Sequence, residues 1–144
     1  KSDYKLLWQT GKNYTPQNDL PRNIIQTKFI DDMASAYAAA DLVISRSGAT
    51  TVAELAVIAK PSILVPLETA SNNEQSLNAQ IFEKNGAAKV LKNKELVKNL
   101  FSLAEQLLKN NELLTQMSVN AEKLANKNAA KNTAIKILNL INLK

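Results

Sequence analysis

Residues 41–54 read Asp41-Leu-Val-Ile-Ser-Arg-Ser-Gly-Ala-Thr-Thr-Val-Ala-Glu54. The apolar run Leu42–Ser45 predicts a buried strand, and the small polar residues after it predict a turn directly into a helix. The first amides of a helix lack acceptors within it, and the helix dipole adds about half a positive charge there, so this end favours an anion. Gly48 permits a tight turn and leaves room beside the backbone. The segment therefore predicts an anion-binding turn.

Four more apolar runs predict strands on either side of this segment: Lys5–Gln9, Asn23–Phe29, Ser62–Val65 and Ala87–Leu91. They are rich in Ile, Val and Leu without clean alternation, which is typical of parallel strands covered on both faces. Helices are predicted between the strands, over Met33–Ala40, Thr51–Ala59 and Asn73–Lys84. This order indicates an α/β fold, a parallel sheet with flanking crossover helices.

Three residues are expected to set the ends of these helices. Asp31 or Asp32 can cap the first helix at its start. Pro61 helps to stop the second, and Gly86 can adopt the left-handed conformation that follows the third.

Residues 94–143 are predicted to be a wholly helical tail after the alternation over 5–91. Leucines at offsets of four, three and four form one apolar stripe, and two further stripes follow it. The three stripes, all expected to face a core, are Leu96, Leu100, Leu103 and Leu107, then Leu113, Met117 and Leu124, then Ile135, Leu138 and Ile141. A length of 144 residues, 45% of them apolar, fits a single domain.

Composition excludes several kinds of site. Cysteine is absent, so there is no disulfide and no thiolate metal site, and histidine is absent as well. Any acid–base chemistry must therefore use carboxylates, lysines or another chain. We find no apolar run near the roughly 20 residues of a membrane span, and no signal peptide.

Charge is divided unevenly along the chain. Residues 1–83 hold seven basic and nine acidic groups, about −2, and residues 84–144 hold eleven lysines and four glutamates, about +7. Arginine occurs only at Arg22 and Arg46, which argues against a nucleic-acid surface. The lysines are interpreted as the outer faces of helices, and weak attraction to an anionic membrane stays open.

The turn after Gly48 offers candidate ligand groups. Thr50 and Thr51 can add hydroxyl donors for a diphosphate. Glu54 lies three residues beyond Thr51 on the same helix face, where it can accept hydrogen bonds from a ribose diol. A first-turn glutamate favoured by the helix dipole is an equally good interpretation of Glu54.

Two other segments are candidates. Asn72-Asn-Glu-Gln-Ser-Leu-Asn78 clusters amides that suit sugar hydroxyls, although capping by Ser71 or Asn72 explains it equally well. Phe29-Ile-Asp-Asp-Met33 pairs two aspartates, but neighbouring helical residues do not face each other, and capping is the better account. The backbone of Ile30 could pair with a base edge.

These segments together resemble one family. Phe29–Met33, Arg46–Glu54 and Asn72–Ala79, with Trp8-Gln-Thr-Gly11 and Glu83-Lys-Asn-Gly-Ala-Ala-Lys89, are similar to the undecaprenyl-diphospho-muramoylpentapeptide β-N-acetylglucosaminyltransferases of peptidoglycan synthesis. The resemblance is specific from about Trp8 to Leu91. It implies the Rossmann-like C-terminal half of a GT-B glycosyltransferase, which binds UDP-N-acetylglucosamine.

The resemblance also implies roles for particular residues. Ile30 would read uracil, Ala49–Thr51 would meet the diphosphate and sugar, Glu54 the ribose and Gln75 the N-acetylglucosamine ring, while Arg46 supports the turn. The implied binding residues are Ile30, Arg46, Ser47, Gly48, Ala49, Thr50, Thr51, Val52, Ala53, Glu54, Glu74, Gln75 and Asn78. Glu74 departs from the family, in which His or Gln is common. The Asp-x-Asp metal motif is absent, and no cofactor is expected.

The parent enzyme implied by the resemblance is an inverting transferase. It moves N-acetylglucosamine to lipid I, giving lipid II, peripherally at the cytoplasmic face of the inner membrane. The resemblance implies that the acceptor domain, the catalytic base and a first βα unit would precede this chain. The abrupt first strand at Lys5–Gln9 is also expected for a fragment of a longer protein. Two alternatives stay open: a stand-alone subunit of a split two-chain transferase, and another GT-B enzyme such as a lipid galactosyltransferase.

Overall fold

The protein is described by a computed structural model that covers residues 4–69 and 73–142. The chain forms two compact units, the first ending at Ala40 and the second beginning at Asp41. Each unit has its own parallel strands. The predicted organisation of residues 1–144 as one domain stays a prediction.

The first unit contains two strands and a short helix. Strands β1 (Leu6–Gln9) and β2 (Ile24–Thr27) pair in parallel, with Leu6 opposite Ile24 and Gln9 opposite Thr27. Helix α1 (Met33–Ala39) is capped by Asp32, whose carboxylate accepts the Ser35 amide at 3.0 Å. Both predicted strands form, but the expectation that they are covered on both faces is wrong for the described chain, since Leu6, Leu7 and Ile25 are exposed. The cap is Asp32 rather than Asp31.

The second unit is built on a three-stranded parallel sheet. Its strands lie in the order β3 (Val43–Ser45), β4 (Ser62–Leu64) and β5 (Ala88–Val90). Every residue of the central strand β4 is buried, as the continuous apolar pattern predicts. The predicted α/β class with parallel strands and flanking helices is confirmed.

Helices α2 (Ala49–Val57) and α3 (Glu74–Lys84) follow the first two strands of this sheet. Helix α2 begins two residues before the predicted start. It ends before Pro61, because Ala59 adopts a left-handed φ of 54° and the Lys60 amide returns to the Leu55 carbonyl at 3.0 Å. Gly86 takes the left-handed conformation predicted for it, with φ 68°.

The helical tail comprises α4 (Leu96–Leu108), α5 (Asn111–Lys123) and α6 (Ala129–Asn142), with one 3₁₀ turn at Asn93–Glu95 before α4. The first two helices cover the sheet. Their stripes join a core formed by Ile63, Val65, Leu91, Leu107 and Met117, with Leu96, Leu100, Leu103 and Leu113 packed against it. The first predicted core-facing stripe is thereby confirmed in full, and the second for Leu113 and Met117. Leu124, the C-cap residue after α5, is half-buried and is not part of this core.

The third predicted stripe does not face a core. Ile135, Leu138 and Ile141 are 44%, 57% and 62% exposed, and residues 129–141 are exposed throughout. The expectation that this stripe is core-facing is therefore wrong for the described chain, because periodicity shows that a helix has an apolar face but not what covers it. Within the described ranges, no helix is both long enough and apolar enough to cross a membrane.

Candidate functional site

The turn between β3 and α2 lies at the carboxyl edge of the three-stranded sheet. Gly48 is the N-cap residue of α2, and no side chain caps this helix. The first backbone hydrogen bond runs from the Val52 amide to the Gly48 carbonyl at 3.0 Å, so the amides of Ala49, Thr50 and Thr51 precede it. Ala49 and Thr50 are exposed. The turn therefore presents backbone donors and a threonine hydroxyl to the surface.

Gly48 is not required by the backbone at this turn. Its φ of −62° and ψ of 153° are accessible to any residue, so the expected tight turn needs no glycine. A Cβ built on Gly48 would meet no protein atom within 4 Å. The open space before the helix, and not the turn geometry, is what glycine provides here.

Ser47 holds the turn from beneath. Its side chain is fully buried, and its hydroxyl donates to the Gln75 carbonyl at 2.7 Å. The Asn78 amide donates to the Ser47 carbonyl at 3.0 Å. Ser47 and Asn78, both predicted to bind ligand, thus fix the β3–α2 turn against the start of α3.

Gln75 joins the same set of contacts. Its Oε1 accepts the Leu67 amide at 3.0 Å, which ties the loop after β4 to α3. The Nε2 hydrogens of this side chain can donate to a ligand, and the second lone pair of Oε1 can still accept a hydrogen bond. Glu74, the first residue of α3, is exposed, and Asn73 before it has a left-handed φ of 57°. The proposed caps Ser71 and Asn72 lie outside the described residues.

Arg46 connects the loops after all three strands of this sheet. Its Nη1 donates to the carbonyls of Val65 and Pro66, at 3.1 and 3.4 Å, and to Oδ1 of Asn93 at 2.7 Å. Asn93 was not predicted from the sequence. It lies 47 residues from Arg46, and no local pattern around it signals this contact.

Glu54 is exposed and lies in the second turn of α2, because the helix begins at Ala49. Helix α2 has no acidic residue in its first turn. The alternative interpretation of Glu54 as a first-turn glutamate therefore loses its basis. Ala53 is exposed beside it, whereas Val52 is buried and can meet a ligand only through its backbone.

Ile30 belongs to the first unit. Its amide already donates to Oε1 of Gln9 at 2.9 Å, and the neighbouring Phe29 carbonyl accepts the Thr27 hydroxyl at 2.8 Å. A base edge that uses the Ile30 amide has to displace the exposed Gln9 side chain. The predicted role of Ile30 stays a prediction with this added condition.

One of the paired aspartates nearby, Asp32, has a structural use. Hydrogen bonds from the side chain and backbone of Ser35 hold the pKa of Asp32 below its ordinary value, as expected for a capping carboxylate. Within the described residues, no group of three or more acidic, His or Cys side chains could hold a metal ion.

Comparison with known proteins gives a consistent family. A family model described as the Glycosyltransferase family 28 C-terminal domain matches residues 1–134. A UDP-N-acetylglucosamine--N-acetylmuramyl-(pentapeptide) pyrophosphoryl-undecaprenol N-acetylglucosamine transferase of Bacteroides thetaiotaomicron is 37% identical over 147 residues, covering 96% of this chain and 39% of its own length. A transferase of the same name from Finegoldia magna is 39% identical, covering 95% of this chain and 35% of its own length.

A solved structure is similar as well. The crystal structure of Acinetobacter baumannii MurG aligns with a TM-score of 0.74 and 36% identity, covering 81% of this chain and 35% of that protein. The chain therefore spans less than two fifths of the length of these relatives. The parallel sheet, with an open helix start at its carboxyl edge, agrees with the family model that matches residues 1–134. This chain therefore belongs to glycosyltransferase family 28, in the part that corresponds to its C-terminal domain.

Proposed function

We propose that this chain binds UDP-N-acetylglucosamine and serves as the donor domain of a transferase that moves N-acetylglucosamine to lipid I, giving lipid II. The observation that carries the proposal is the turn at Gly48, where backbone amides meet open space at the carboxyl edge of a parallel sheet. Relatives from Bacteroides thetaiotaomicron and Finegoldia magna bear the name of this transferase, which supports the choice of sugar and acceptor.

The diphosphate is assigned to the start of α2. The amides of Ala49, Thr50 and Thr51 and the dipole of this nine-residue helix provide positive potential for it. That potential matters most when UDP departs, because the negative charge on the leaving diphosphate grows in the transition state. We therefore propose that donor binding by this chain uses no metal cofactor.

The ribose and the sugar of the donor are assigned to two side chains. Glu54, on the exposed face of α2, accepts hydrogen bonds from the ribose hydroxyls. Gln75 donates through Nε2 to the sugar ring, while its Oε1 accepts the Leu67 amide.

The proposed reaction inverts the anomeric carbon. The acceptor 4-hydroxyl forms a bond to that carbon, the bond to the UDP oxygen breaks, and UDP leaves with the bonding electron pair. The hydroxyl proton passes to a base, which we place on the acceptor domain of the transferase. This chain provides donor binding and stabilisation of the leaving group.

The acceptor determines where the proposed enzyme works. The relatives act on a pyrophosphoryl-undecaprenol substrate by name, which is a lipid, so we propose peripheral attachment at the cytoplasmic face of the bacterial inner membrane. The eleven lysines of residues 84–144, against four glutamates, suit an anionic lipid surface. With two arginines in the chain, we propose no nucleic-acid partner.

Calorimetric titration of this chain with UDP, UDP-N-acetylglucosamine and UDP-galactose tests the proposal. We expect binding of UDP and of UDP-N-acetylglucosamine, weaker binding of UDP-galactose, and no transfer by the chain alone. A folded chain that binds none of the three would contradict the nucleotide site. Preference for UDP-galactose would instead point to a lipid galactosyltransferase of the same architecture.

A further inference from the structure

We propose that Asn93 is a positioning residue of the donor site and acts through Arg46. The inference rests on the proposed function, because it concerns how the same site is held in shape. Nothing in the pattern around Asn93 predicts this role, and its side chain is only half-buried.

The geometry places Asn93 at the end of a chain of contacts that leads to the ligand-binding turn. Asn93 follows β5, and its Oδ1 accepts a hydrogen bond from Nη1 of Arg46 at 2.7 Å. Arg46 itself is the residue after β3, two positions before Gly48. Parallel strands place these ends at one edge of the sheet, so Asn93 fixes the residue that leads into the turn.

The bond to Asn93 is the shortest that Arg46 makes. One nitrogen, Nη1, carries two hydrogens and faces three acceptors, with the Val65 and Pro66 carbonyls at 3.1 and 3.4 Å. Arg46 is exposed, so water competes for these carbonyls. Without the Asn93 acceptor, the guanidinium loses its closest partner and its long side chain regains rotamer freedom.

A less ordered Arg46 side chain is expected to change how firmly the Gln75 side chain is held. Arg46 holds the carbonyls of Val65 and Pro66, and the next residue, Leu67, donates its amide to Gln75. The loop after β4 therefore sits between two contacts, one from each side. When one contact is lost, the other weakens, and the Gln75 side chain is no longer held in a single orientation.

The fold itself does not depend on the Asn93 side chain. Two other hydrogen bonds close the 3₁₀ turn that contains Asn93. The Lys92 amide donates to Glu95 Oε2 at 3.0 Å, and the Glu95 amide donates to the Lys92 carbonyl at 2.9 Å. The core beneath it is apolar and does not include Asn93. Stability and ligand affinity should therefore respond differently to substitution.

Three variants separate the possible roles: Asn93→Ala, Asn93→Asp and the matched control Asn99→Ala. Asn93→Ala removes the acceptor, while Asn93→Asp keeps an acceptor for Arg46 and removes the amide hydrogens. Asn99 is exposed on the first turn of α4, and the structure shows no hydrogen bond from its side chain within the described residues. UDP affinity of each is measured by calorimetry, with the melting temperature alongside.

Hydrogen exchange provides a readout that needs no ligand. The Leu67 amide should exchange faster in Asn93→Ala, since its partner Gln75 is less well held, and should be unchanged in Asn93→Asp and Asn99→Ala. For UDP, we expect about 3- to 10-fold weaker binding in Asn93→Ala, the size of one lost hydrogen bond, with near-complete rescue in Asn93→Asp.

Three other outcomes would overturn the positioning role, and the last of them would overturn the proposed function as well. If the unsubstituted chain binds UDP and Asn93→Ala binds it equally well, the positioning role is overturned and the proposed function stands. If Asn93→Asp binds as poorly as Asn93→Ala, Asn93 does not act through Arg46, and the inference also fails. If the folded, unsubstituted chain binds no UDP, the proposed function fails and takes the inference with it.

Discussion

The hydroxyl of Ser47 donates a 2.7 Å hydrogen bond to the backbone carbonyl of Gln75, 28 residues later in the chain. Ser47 is fully buried and Gln75 is half-buried, so water has only limited access to this bond. It joins the turn assigned to the diphosphate to the helix that carries the residue assigned to the sugar. The two parts of the proposed donor site are therefore joined directly by a hydrogen bond.

Replacing Ser47 by Ala should lower both stability and affinity. The Gln75 carbonyl would lose one of its partners, which costs about 0.5–1.5 kcal/mol of unfolding free energy, the net contribution of one hydrogen bond. UDP should bind more weakly because the turn is no longer held against α3. Urea unfolding and calorimetry measure the two effects.

Ser62→Ala is the matched control for Ser47→Ala. Ser62 is also fully buried, but its hydroxyl has no hydrogen-bond partner among the described residues. Its removal should leave stability unchanged or raise it by up to about 1 kcal/mol, since an unpaired buried hydroxyl is unfavourable. Equal destabilisation by both substitutions would show that the Ser47–Gln75 bond contributes nothing of its own.

Replacing Gly48 by Ala should weaken UDP binding while sparing the fold. The backbone angles suit alanine, and its Cβ meets no protein atom, so unfolding free energy should change by less than about 1 kcal/mol. The same Cβ occupies the space assigned to the diphosphate, so affinity should fall by about tenfold or more. Calorimetry and urea unfolding are measured on the same preparation.

Gly86→Ala should show the opposite pattern. Gly86 has φ 68°, and a Cβ there would lie 3.0 Å from Nδ2 of the Asn120 side chain, so alanine is strained. Stability should fall by about 1–2 kcal/mol, the cost of a left-handed alanine, with UDP affinity unchanged. If Gly48→Ala binds UDP as tightly as the unsubstituted chain, the diphosphate does not bind at the turn between β3 and α2.

Asp32 should titrate below the ordinary range of an aspartate. Hydrogen bonds from the Ser35 side chain and backbone lower its pKa, so its stabilising effect is present above the unfolded-chain pKa and is lost as pH falls through the lower folded-state pKa. Carbon-detected NMR titration gives the midpoint. Ser35→Ala should raise the midpoint toward the ordinary value, because it removes the hydroxyl that contributes most. An ordinary midpoint in the unsubstituted chain would contradict the cap.

Local patterns were sufficient to predict the strands and the capped helix ends. A strand such as β4 is recognisable because continuous apolar residues are needed where both faces are covered. Gly86 was predictable, and the cap of α1 was narrowed to Asp31 or Asp32, because capping and left-handed backbone depend on residue type within one turn.

Long-range contacts were not predictable in this way. The bond between Arg46 and Asn93 depends on how three loops meet, and neither residue has a neighbour that signals the other. Ser47 was predicted to bind ligand, yet its hydroxyl is directed to Gln75, because burial at a strand end is decided by packing. The apolar stripe of α6 was recognised, whereas its exposure was not.

Glu54→Ala should cost about 1–3 kcal/mol of UDP affinity, the range for losing a charged hydrogen-bond partner, with little change in melting temperature. Glu112→Ala is the control, since Glu112 is an exposed glutamate in the first turn of α5. The assignment to the ribose is tested with 2′-deoxy-UDP. If Glu54 binds the 2′-hydroxyl, removing both groups should cost little more than removing either one, because the two losses share a single contact. If the two losses of affinity add in full, Glu54 contacts another part of the nucleotide. If Glu54→Ala lowers the melting temperature but leaves UDP affinity intact, Glu54 is a structural residue.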